Sequence, residues 1–453
     1  MHTTNPYNGK FVKEYTLHTI EEVADKTEKA QKAFETWRTV GFDKRADLLK
    51  KLADVLTVRK AELAQLMAEE MGKPITAGGA EIEKCAKVCI YYAEHGAEFL
   101  KDEVVKTDAS NSYITYQPLG VVLAVMPWNF PFWQTLRFLG PGLMAGNVAL
   151  LKHASNVPGC ALIIEDLLRE AGFPEHVFQT LLISSDSVES VIANPLVKAV
   201  TLTGSTEAGM KVAGQAASLI KKAVLELGGS DPYIIFEDAD LDLAASKCTE
   251  SRLINTGQSC IAAKRFIVFE KVADQFIALF KEKMAQQLPG DPMNAATTMG
   301  PMAKASLRDE LHQQVLKSIE MGAKCILGGT VEQGEHAFYP ATILTNVRKG
   351  MPAYDEELFG PVASVIVVND EDEAIRVAND SSFGLGSALF TNDIQRANRI
   401  AATQIEAGCC FINDYVRSSP DLPFGGIKQS GYGRELGVYG IKEFVNIKSV
   451  YVA

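Results

Sequence analysis

Apolar side chains in the first hundred residues recur at helical spacing. In residues 20–37 and 44–71 they return about every 3.6 positions, and Ala, Glu and Lys, which favour helices, are abundant. This pattern predicts helices over both ranges. From Ile114 onward the pattern changes to β-rich segments, of which GVVLAVMP is the clearest, and Pro127 ends that predicted strand.

Short apolar runs then alternate with helical patterns along the chain. The predicted strands are VALLK, VFQTLLI, VKAVTLTG and KAVLEL, and the predicted helices cover about residues 158–171, 185–193 and 206–217. Strands separated by helices of about ten to fifteen residues form parallel, doubly wound sheets, because each helix carries the chain back across the sheet. This part of the chain is therefore predicted to be an α/β domain.

A second α/β run extends from about residue 229 to about residue 428, with ASVIVV, GSALF and CCFIN as predicted strands. The tail EFVNIKSVYVA alternates like a strand, which could pair with another chain or with residues 112–118. We therefore predict an α/β fold with two doubly wound α/β domains and a small β element. The expected domain boundaries are 1–99 with 119–228, then 229–428, and 100–118 with 429–453.

Composition and charge exclude some function classes. The chain of 453 residues carries a net charge of −11 without a basic stripe, so extended binding to nucleic acid is disfavoured, although a local basic pocket could still bind an anion. The first residues do not read as a signal peptide, and the apolar run near residues 120–126 is too short to cross a membrane. Eight scattered cysteines predict reduced thiols and a cytoplasmic protein.

The usual Gly-x-Gly-x-x-Gly fingerprint for a dinucleotide does not occur in the chain. The nearest candidate is GSTEAG, which begins with Gly204 and Ser205 at a strand-to-helix junction, where free N–H groups of the helix could bind a phosphate. A plain turn with Ser205 as helix cap fits the same residues. Lys152 ends a predicted strand at the edge where α/β folds bind ligands, and it could bind a ribose or phosphate or be a solvated lysine.

Three further residues could carry chemistry, and each also has a structural interpretation. Cys260 lies in NTGQSC, where small residues leave room at the thiol, although most single cysteines are inert core residues. Glu226 precedes two glycines and could activate water or form a salt bridge, and Asn129 in the stiff PWNFP segment could stabilise an oxyanion or cap a turn. The seven histidines show no metal-ligand spacing and no motif that pairs one with Cys260, so no metal site is expected and thiol hydrolase chemistry is disfavoured.

Six motifs occur in order along the chain: PWNFP, LTGSTEAG, ELGGSDP, NTGQSCIAAKR, EELFGPV and PFGGIKQSGYGRE. With these motifs the chain resembles the aldehyde dehydrogenase superfamily along nearly its whole length. The resemblance implies a variant Rossmann cofactor domain, which accounts for the missing fingerprint, a catalytic domain and a small β oligomerisation element. A catalytically silent relative would lack the cysteine, the base or the oxyanion donor, and this chain has all three.

The resemblance implies NAD(P)-dependent oxidation of an aldehyde. Cys260 would attack the aldehyde carbon to form a thiohemiacetal, whose oxyanion would be held by the Asn129 amide and the backbone N–H of Cys260. Hydride transfer to the nicotinamide would leave a thioester, and Glu226 would activate the water that releases the acid. Ala262 stands where some relatives have a second cysteine, so that redox disulfide with the nucleophile is not expected.

The resemblance also implies a set of cofactor-binding residues: Trp128, Lys152, Ser155, Gly204, Ser205, Leu227, Glu357 and Phe359. Relatives that use NAD⁺ often have Lys-Pro-Ser-Glu where this chain has Lys152-His153-Ala154-Ser155. That glutamate would repel a 2′-phosphate, whereas Ser155 can donate a hydrogen bond to it. We therefore expect NADP⁺ to be the preferred cofactor, with NAD⁺ still usable.

The substrate site implied by the resemblance consists of Trp133, Arg137, Ser418 and Ser419. Arg137 would bind a substrate carboxylate in an aromatic channel, and a structural ion pair is the other interpretation. Succinate-semialdehyde dehydrogenases often carry a second arginine where this chain has Ile254, and Arg417 could supply that charge. The chain looks most like the bacterial enzymes of this kind, so oxidation of succinate semialdehyde to succinate is expected. A broader aldehyde dehydrogenase acting on semialdehydes such as glutarate semialdehyde is the alternative.

Assembly is implied by the same resemblance. Related enzymes form dimers or tetramers in which a C-terminal strand extends a partner's sheet, and EFVNIKSVYVA could do the same. A homodimer or homotetramer is therefore expected, with a small-molecule semialdehyde as substrate and without a nucleic-acid or membrane partner.

Overall fold

The computed structural model describes residues 1–331, 334 and 336–453. Its helices are α1 (Ile20–Trp37), α2 (Phe42–Val58), α3 (Lys60–Met71), α4 (Ile75–Phe99), α5 (Pro131–Ala145), α6 (Pro158–Glu170), α7 (Val188–Ala193), α8 (Thr206–Ser218), α9 (Leu241–Leu253), α10 (Glu270–Ala285), α11 (Ala305–Glu320), α12 (Pro352–Asp355), α13 (Glu371–Asn379), α14 (Ile394–Thr403) and α15 (Gly437–Ile441). Its strands are β1 (His2–Thr4), β2 (Phe11–Glu14), β3 (Glu103–Val104), β4 (Asn111–Pro118), β5 (Val121–Met126), β6 (Val148–His153), β7 (Phe178–Thr180), β8 (Val197–Thr203), β9 (Lys222–Glu226), β10 (Pro232–Ile235), β11 (Arg265–Phe269), β12 (Lys324–Leu327), β13 (Thr342–Thr345), β14 (Val362–Val368), β15 (Phe383–Gly384), β16 (Gly386–Phe390), β17 (Cys409–Ile412), β18 (Ile427–Lys428), β19 (Gly431–Tyr432) and β20 (Val445–Val452). None of the helices in the described ranges is long and apolar enough to cross a membrane.

Four helices precede the first large sheet, in the region where the sequence predicts helices. The first, α1, begins with a reciprocal capping box, in which the side chains of Thr19 and Glu22 each accept a hydrogen bond from the other's backbone N–H. The range 44–71 forms two helices rather than one. The break lies at Arg59, whose backbone leaves the regular helical conformation and whose side chain binds Glu170 at 3.1 Å.

The first large sheet places four candidate residues along one edge. Its strand order is β19-β9-β8-β5-β6-β7, and all its strands except the short edge strand β19 run parallel. Glu226 ends β9, Lys152 lies next to the end of β6, and Gly204 directly follows β8. Asn129 lies in the loop after β5. These residues therefore meet at the carboxyl edge, where open parallel sheets bind ligands.

The second large sheet carries the segment that contains Cys260. Its order is β12-β13-β14-β11-β10-β16-β17, and all its pairs except β12 with β13 are parallel. Buried apolar residues pack on both faces. Cys260 lies five residues before Arg265, the first residue of β11. The two sheets confirm the predicted α/β class.

A three-stranded sheet of order β20-β4-β3 contains the C-terminal tail. Val445 lies opposite Pro118 and Val452 opposite Asn111 in an antiparallel ladder, so the tail strand pairs within this chain. The expected grouping of residues 429–453 differs from the structure in its first half, because β19 joins the first large sheet. Gly431 allows β19 to approach β9 closely, because a Cβ at this position would lie 2.0 Å from the carbonyl oxygen of Leu225 and would clash with it.

Candidate active site

A cavity of about 260 Å³ lies between the carboxyl edge of the first large sheet and the loop that carries Cys260. Eight residues that the sequence singles out line it together: Trp128, Asn129, Gly204, Ser205, Leu227, Cys260, Glu357 and Phe359. The fold therefore brings separate motifs from both large sheets into one site.

Cys260 follows a loop with an unusual backbone. Asn255 and Thr256 adopt left-handed conformations with φ of 51° and 56°, and such values are rare for a β-branched residue such as Thr256. Gly257 has φ of +73°, and a Cβ there would lie 2.3 Å from the carbonyl of Gly360. The Asn255 side chain stabilises the turn by donating to the Gln258 carbonyl at 3.2 Å. Strain that the surroundings hold in place is typical of functional sites.

Asn129 is buried beside this loop. Its Nδ2 donates to the Gln258 carbonyl at 3.0 Å, while its Oδ1 has no hydrogen-bond partner among the described residues. A side-chain amide nitrogen carries two hydrogens, so a second N–H remains to bind another oxygen. The position is compatible with a donor to an oxyanion formed at Cys260.

A buried ion pair that the sequence analysis missed fixes the Asn129 segment. Lys73 is 1% exposed and contacts the Glu81 carboxylate. Lys73 Nζ also donates to the Asn129 carbonyl at 2.8 Å, and Glu81 accepts the backbone N–H groups of Phe132 and Trp133 at 2.9 Å. Glu81 therefore binds the first turn of α5, where a negative charge is favourable. No local sequence signal connects residues that lie this far apart.

Burial and the neighbouring positive charges shift the pKa of the Cys260 thiol in opposite directions. Burial raises the pKa of Cys260 to about 12, whereas the positive charges of Lys264 and Arg137 act to lower it. Lys264 also donates to the Cys260 carbonyl at 2.7 Å. At neutral pH the resting thiol is protonated, so its attack on a carbonyl requires a group that takes the proton.

Glu226 has the environment of a base rather than of a structural carboxylate. It is 2% exposed, and neither of its carboxylate oxygens has a hydrogen-bond partner in the described part of the chain. Burial and the nearby carboxylate of Glu435 raise the pKa of Glu226 well above its ordinary value, while Arg137 and Arg434 act in the opposite direction. The raised pKa makes the ionised Glu226 carboxylate a stronger proton acceptor than a solvated one.

Arg137, a predicted substrate residue, forms a buried ion pair in this structure. It is 2% exposed, its Nε contacts the carboxylate of Glu435, and its guanidinium lies 4.8 Å from the centre of the Phe424 ring. This contact is the ion pair that the sequence offers as the second interpretation of Arg137. The reason is long-range, because Glu435 follows the segment that returns to the first large sheet and places its carboxylate against α5. The Arg137 charge still reaches Cys260 and Glu226 electrostatically.

A different cation, Lys84 on α4, lies among the predicted substrate residues. Its Nζ lies 4.0 Å from the centre of the Trp133 ring and donates to Ser418 Oγ at 2.7 Å. Both Trp133 and Ser418 are buried. The sequence does not indicate this position for Lys84, because a lysine on an amphipathic helix usually lies in solvent.

Ser419 and Arg417, two further residues predicted near the substrate, each contact an aspartate. Ser419 donates its hydroxyl to Asp421 at 2.7 Å, whereas the neighbouring Ser418 binds Lys84. Arg417 is 53% exposed and pairs with Asp414, so its charge is already matched near the surface.

At the other end of the carboxyl edge, the charge of Lys304 acts on Lys152. Lys152 is buried and lies 3.5 Å from Ser185 Oγ, and burial together with the charge of Lys304 lowers the pKa of Lys152. Lys304 and Ser155 both line a second cavity of about 480 Å³. Neither lysine has a carboxylate within 4 Å among the described residues. This end of the site therefore carries uncompensated positive charge beside Ser155.

The remaining cofactor candidates form a connected group. Ser205 caps α8 by accepting the Ala208 N–H at 3.2 Å, which is the helix-cap geometry. Glu357 accepts a hydrogen bond from Gly229 N at 3.0 Å and pairs with Lys264 at 3.1 Å. The Phe359 ring lies edge-on to Trp128, with centroids 5.9 Å apart. No group of three or more His, Cys, Asp or Glu residues in the described ranges could hold a metal ion.

Comparisons with known proteins agree with this geometry. A family model described as the aldehyde dehydrogenase family matches residues 1–450. A probable succinate-semialdehyde dehydrogenase [NADP(+)] from Synechocystis sp. is 49% identical over 451 residues, covering 100% of this chain and 99% of the relative. The succinate-semialdehyde dehydrogenase [NADP(+)] 1 of Mycobacterium tuberculosis is 48% identical over 454 residues, with 100% and 99% covered. The crystal structure of succinic semialdehyde dehydrogenase from Streptococcus pyogenes in complex with NADP⁺ superimposes with a TM-score of 0.97 at 39% identity, covering 100% of this chain and 99% of that one.

Proposed function

This chain belongs to the aldehyde dehydrogenase family, and within that family we propose that it oxidises succinate semialdehyde to succinate with NADP⁺ as the preferred cofactor. The observation that carries the proposal is the cavity that joins Cys260 and Asn129 to six of the eight predicted cofactor residues. The printed names of the relatives from Synechocystis and Mycobacterium support the choice of substrate and cofactor.

We propose that Cys260 is the nucleophile. Its sulfur forms a bond with the aldehyde carbon as the thiol proton passes to a water molecule, and the π electrons of the carbonyl move to its oxygen, which becomes an oxyanion. The Asn129 amide and the backbone N–H of Cys260 stabilise this oxyanion in the thiohemiacetal. The buried Lys73 pair holds Asn129 in place, so the donor does not have to reorganise during the reaction.

The residues at the carboxyl edge fit a dinucleotide. The first turn of α8 offers the N–H groups of Thr206 and Glu207, which have no partner inside the helix, and Lys152 adds a cation to this edge. Glu357 and Phe359 line the part of the cavity that includes Cys260. The chemistry that the bound cofactor supplies is acceptance of a hydride from the carbon attached to Cys260. Loss of that hydride converts the adduct into a thioester on Cys260.

We propose that Glu226 promotes hydrolysis of the thioester. Its unpaired, buried carboxylate accepts a proton from water, the water oxygen bonds to the thioester carbon, and the carbon–sulfur bond breaks. Glu226 then returns the proton to the leaving sulfur, so the products are the carboxylic acid and the regenerated Cys260 thiol. The raised pKa of Glu226 suits this role, because it makes the carboxylate a stronger base than a solvated one.

We propose that the preference for NADP⁺ depends on Lys304 in addition to Lys152 and Ser155. The resemblance did not single out Lys304, but its charge acts on Lys152, and it lines the same cavity as Ser155. A 2′-phosphate between these groups would receive charge-assisted hydrogen bonds from both ammonium groups.

The proposed domain assignment follows the sheets. Residues 1–99 and 119–228 would form the cofactor-binding domain, and residues 229–428 the catalytic domain. The free edge of β20 could pair with a second copy of the chain in a homodimer or homotetramer, since an exposed edge strand is a template for strand addition.

Steady-state kinetics with succinate semialdehyde, glutarate semialdehyde and butanal, each with NADP⁺ and NAD⁺, test the proposal. The highest kcat/KM is expected for succinate semialdehyde with NADP⁺. Equal kcat/KM for the three aldehydes would instead indicate a broad aldehyde dehydrogenase.

A further inference from the structure

Lys84 is a cation in a largely desolvated position that lacks a matching anion. Burial lowers the pKa of Lys84 to about 8, and the positive charge of Arg137 acts in the same direction. Among the described residues no carboxylate lies within salt-bridge distance of its ammonium. Moving a charge out of water is unfavourable unless a partner compensates it, so an unmatched lysine at this position requires an explanation.

The groups around Lys84 fit the end of an anionic ligand. Ser418 Oγ accepts a hydrogen bond from Nζ at 2.7 Å, and its hydroxyl can in turn donate to an oxygen of a ligand. The Trp133 ring packs against the ammonium at 4.0 Å and provides an apolar surface. Trp133, which Lys84 contacts, lies four residues after Asn129, so the ammonium lies close to the segment that carries the proposed oxyanion donor.

The charged side chains next to Lys84 already have ionic partners. Glu81 is bound by Lys73 and by two backbone N–H groups, and Arg137 is paired with Glu435. The Arg137 charge is therefore already matched by a buried carboxylate. Lys84 can bind an anion without breaking any ion pair among the described residues.

We propose that Lys84, together with Ser418, binds the carboxylate at the far end of an ω-carboxylated aldehyde whose carbonyl group reacts at Cys260. The inference rests on the proposed function and identifies a residue for its specificity. The methylene chain of the substrate would pack against Trp133, and the carboxylate would supply the missing negative charge. Selection for carboxylated aldehydes then follows, because an uncharged aldehyde leaves Lys84 desolvated and unpaired.

The test compares wild-type enzyme with Lys84→Met, Lys84→Arg and Ser418→Ala, using succinate semialdehyde and butanal. Lys84→Met is expected to lower kcat/KM for succinate semialdehyde about tenfold to hundredfold, as is usual for a lost charge-assisted hydrogen bond. Most of the loss should appear in KM, because the carboxylate is bound alike in the ground state and the transition state. The kcat/KM for butanal should change little, and Lys84→Arg should retain most of the activity.

Lys87→Met serves as the matched control, since Lys87 is an exposed lysine on the same helix. Thermal unfolding of each variant shows whether it is folded, and calorimetric titration with succinate measures carboxylate binding without turnover. Equal losses for both aldehydes, or no loss for either, would overturn the proposal.

The titration with succinate also distinguishes failure of the Lys84 site from failure of the proposed function. If wild-type enzyme binds succinate through Lys84 but does not oxidise succinate semialdehyde, the proposed function fails and the Lys84 site stands. If wild-type enzyme prefers succinate semialdehyde and Lys84→Met leaves that preference intact, only the Lys84 inference fails.

Discussion

The Lys73 ammonium donates a 2.8 Å hydrogen bond to the backbone carbonyl of Asn129 and at the same time contacts the Glu81 carboxylate. Through these contacts a buried ion pair fixes the loop that carries the proposed oxyanion donor. Support of this kind around a reactive group keeps its donors aligned with the charge that develops in the reaction.

We expect Lys73→Met to destabilise the fold and to reduce turnover. The substitution leaves Glu81 buried without its cation, which typically costs about 3–5 kcal/mol. Thermal unfolding should show a clearly lower Tm, and kcat measured below that Tm should fall because Asn129 is less constrained. Lys60→Met is the control, since Lys60 pairs with Glu83 at the surface. A similar Tm for the two variants would contradict the role of the buried pair.

Glu226→Gln should slow release of the acid more than formation of the thioester. Loss of a general base typically lowers a rate by about 10²–10⁴-fold. A rapid burst of NADPH followed by slow turnover is therefore expected in stopped-flow absorbance, with the acyl adduct visible by mass spectrometry. Glu310→Gln, at an exposed position of α11, should behave like the wild type. Absence of a burst would argue against deacylation as the step that Glu226 serves.

The pH dependence of kcat should reflect the raised pKa of Glu226. Because the ionised carboxylate is the active form, kcat is expected to rise with pH through that pKa. Burial and Glu435 place this rise well above the ordinary carboxyl value of 4.5. The profile should lose its acidic limb in Glu226→Gln. A wild-type kcat that stays constant down to about pH 5 would show that no such raised base limits the rate.

Cofactor selection should depend on Ser155 and Lys304. Ser155→Glu places a negative charge where a 2′-phosphate would bind, so kcat/KM for NADP⁺ should fall by at least about tenfold relative to NAD⁺. Lys304→Ala should lower kcat/KM for NADP⁺ and leave kcat/KM for NAD⁺ nearly unchanged. Calorimetry with adenosine 2′-monophosphate gives a readout that does not require turnover. Lys317→Ala on α11 is the exposed control, and equal effects of the two lysine variants would exclude a specific role for Lys304.

Much of the scaffold follows from local pattern. The alternation of apolar runs and helical segments predicts the two α/β sheets, and the helix at 20–37 and the tail strand appear where the periodicity places them. The break at Arg59 is not predictable from periodicity, because both halves of 44–71 keep helical spacing, and the Arg59 side chain binds Glu62 and Glu170 at this point. The pairing of β19 with β9 is likewise a long-range contact that the sequence of the short strand does not indicate.

The sequence by itself predicts the candidate reactive residues, since Cys260, Glu226 and Asn129 each lie in a compact motif at the end of a strand or beside a tight turn. Their local backbone is encoded by neighbouring glycines, prolines and small residues. Only the tertiary structure decided which charges meet. Arg137 pairs with Glu435, and Lys84 contacts Ser418 although 334 positions separate them. A cation is compensated or left unpaired according to the side chains that folding brings within a few ångströms, and the sequence around Arg137 and Lys84 carries no information about those partners.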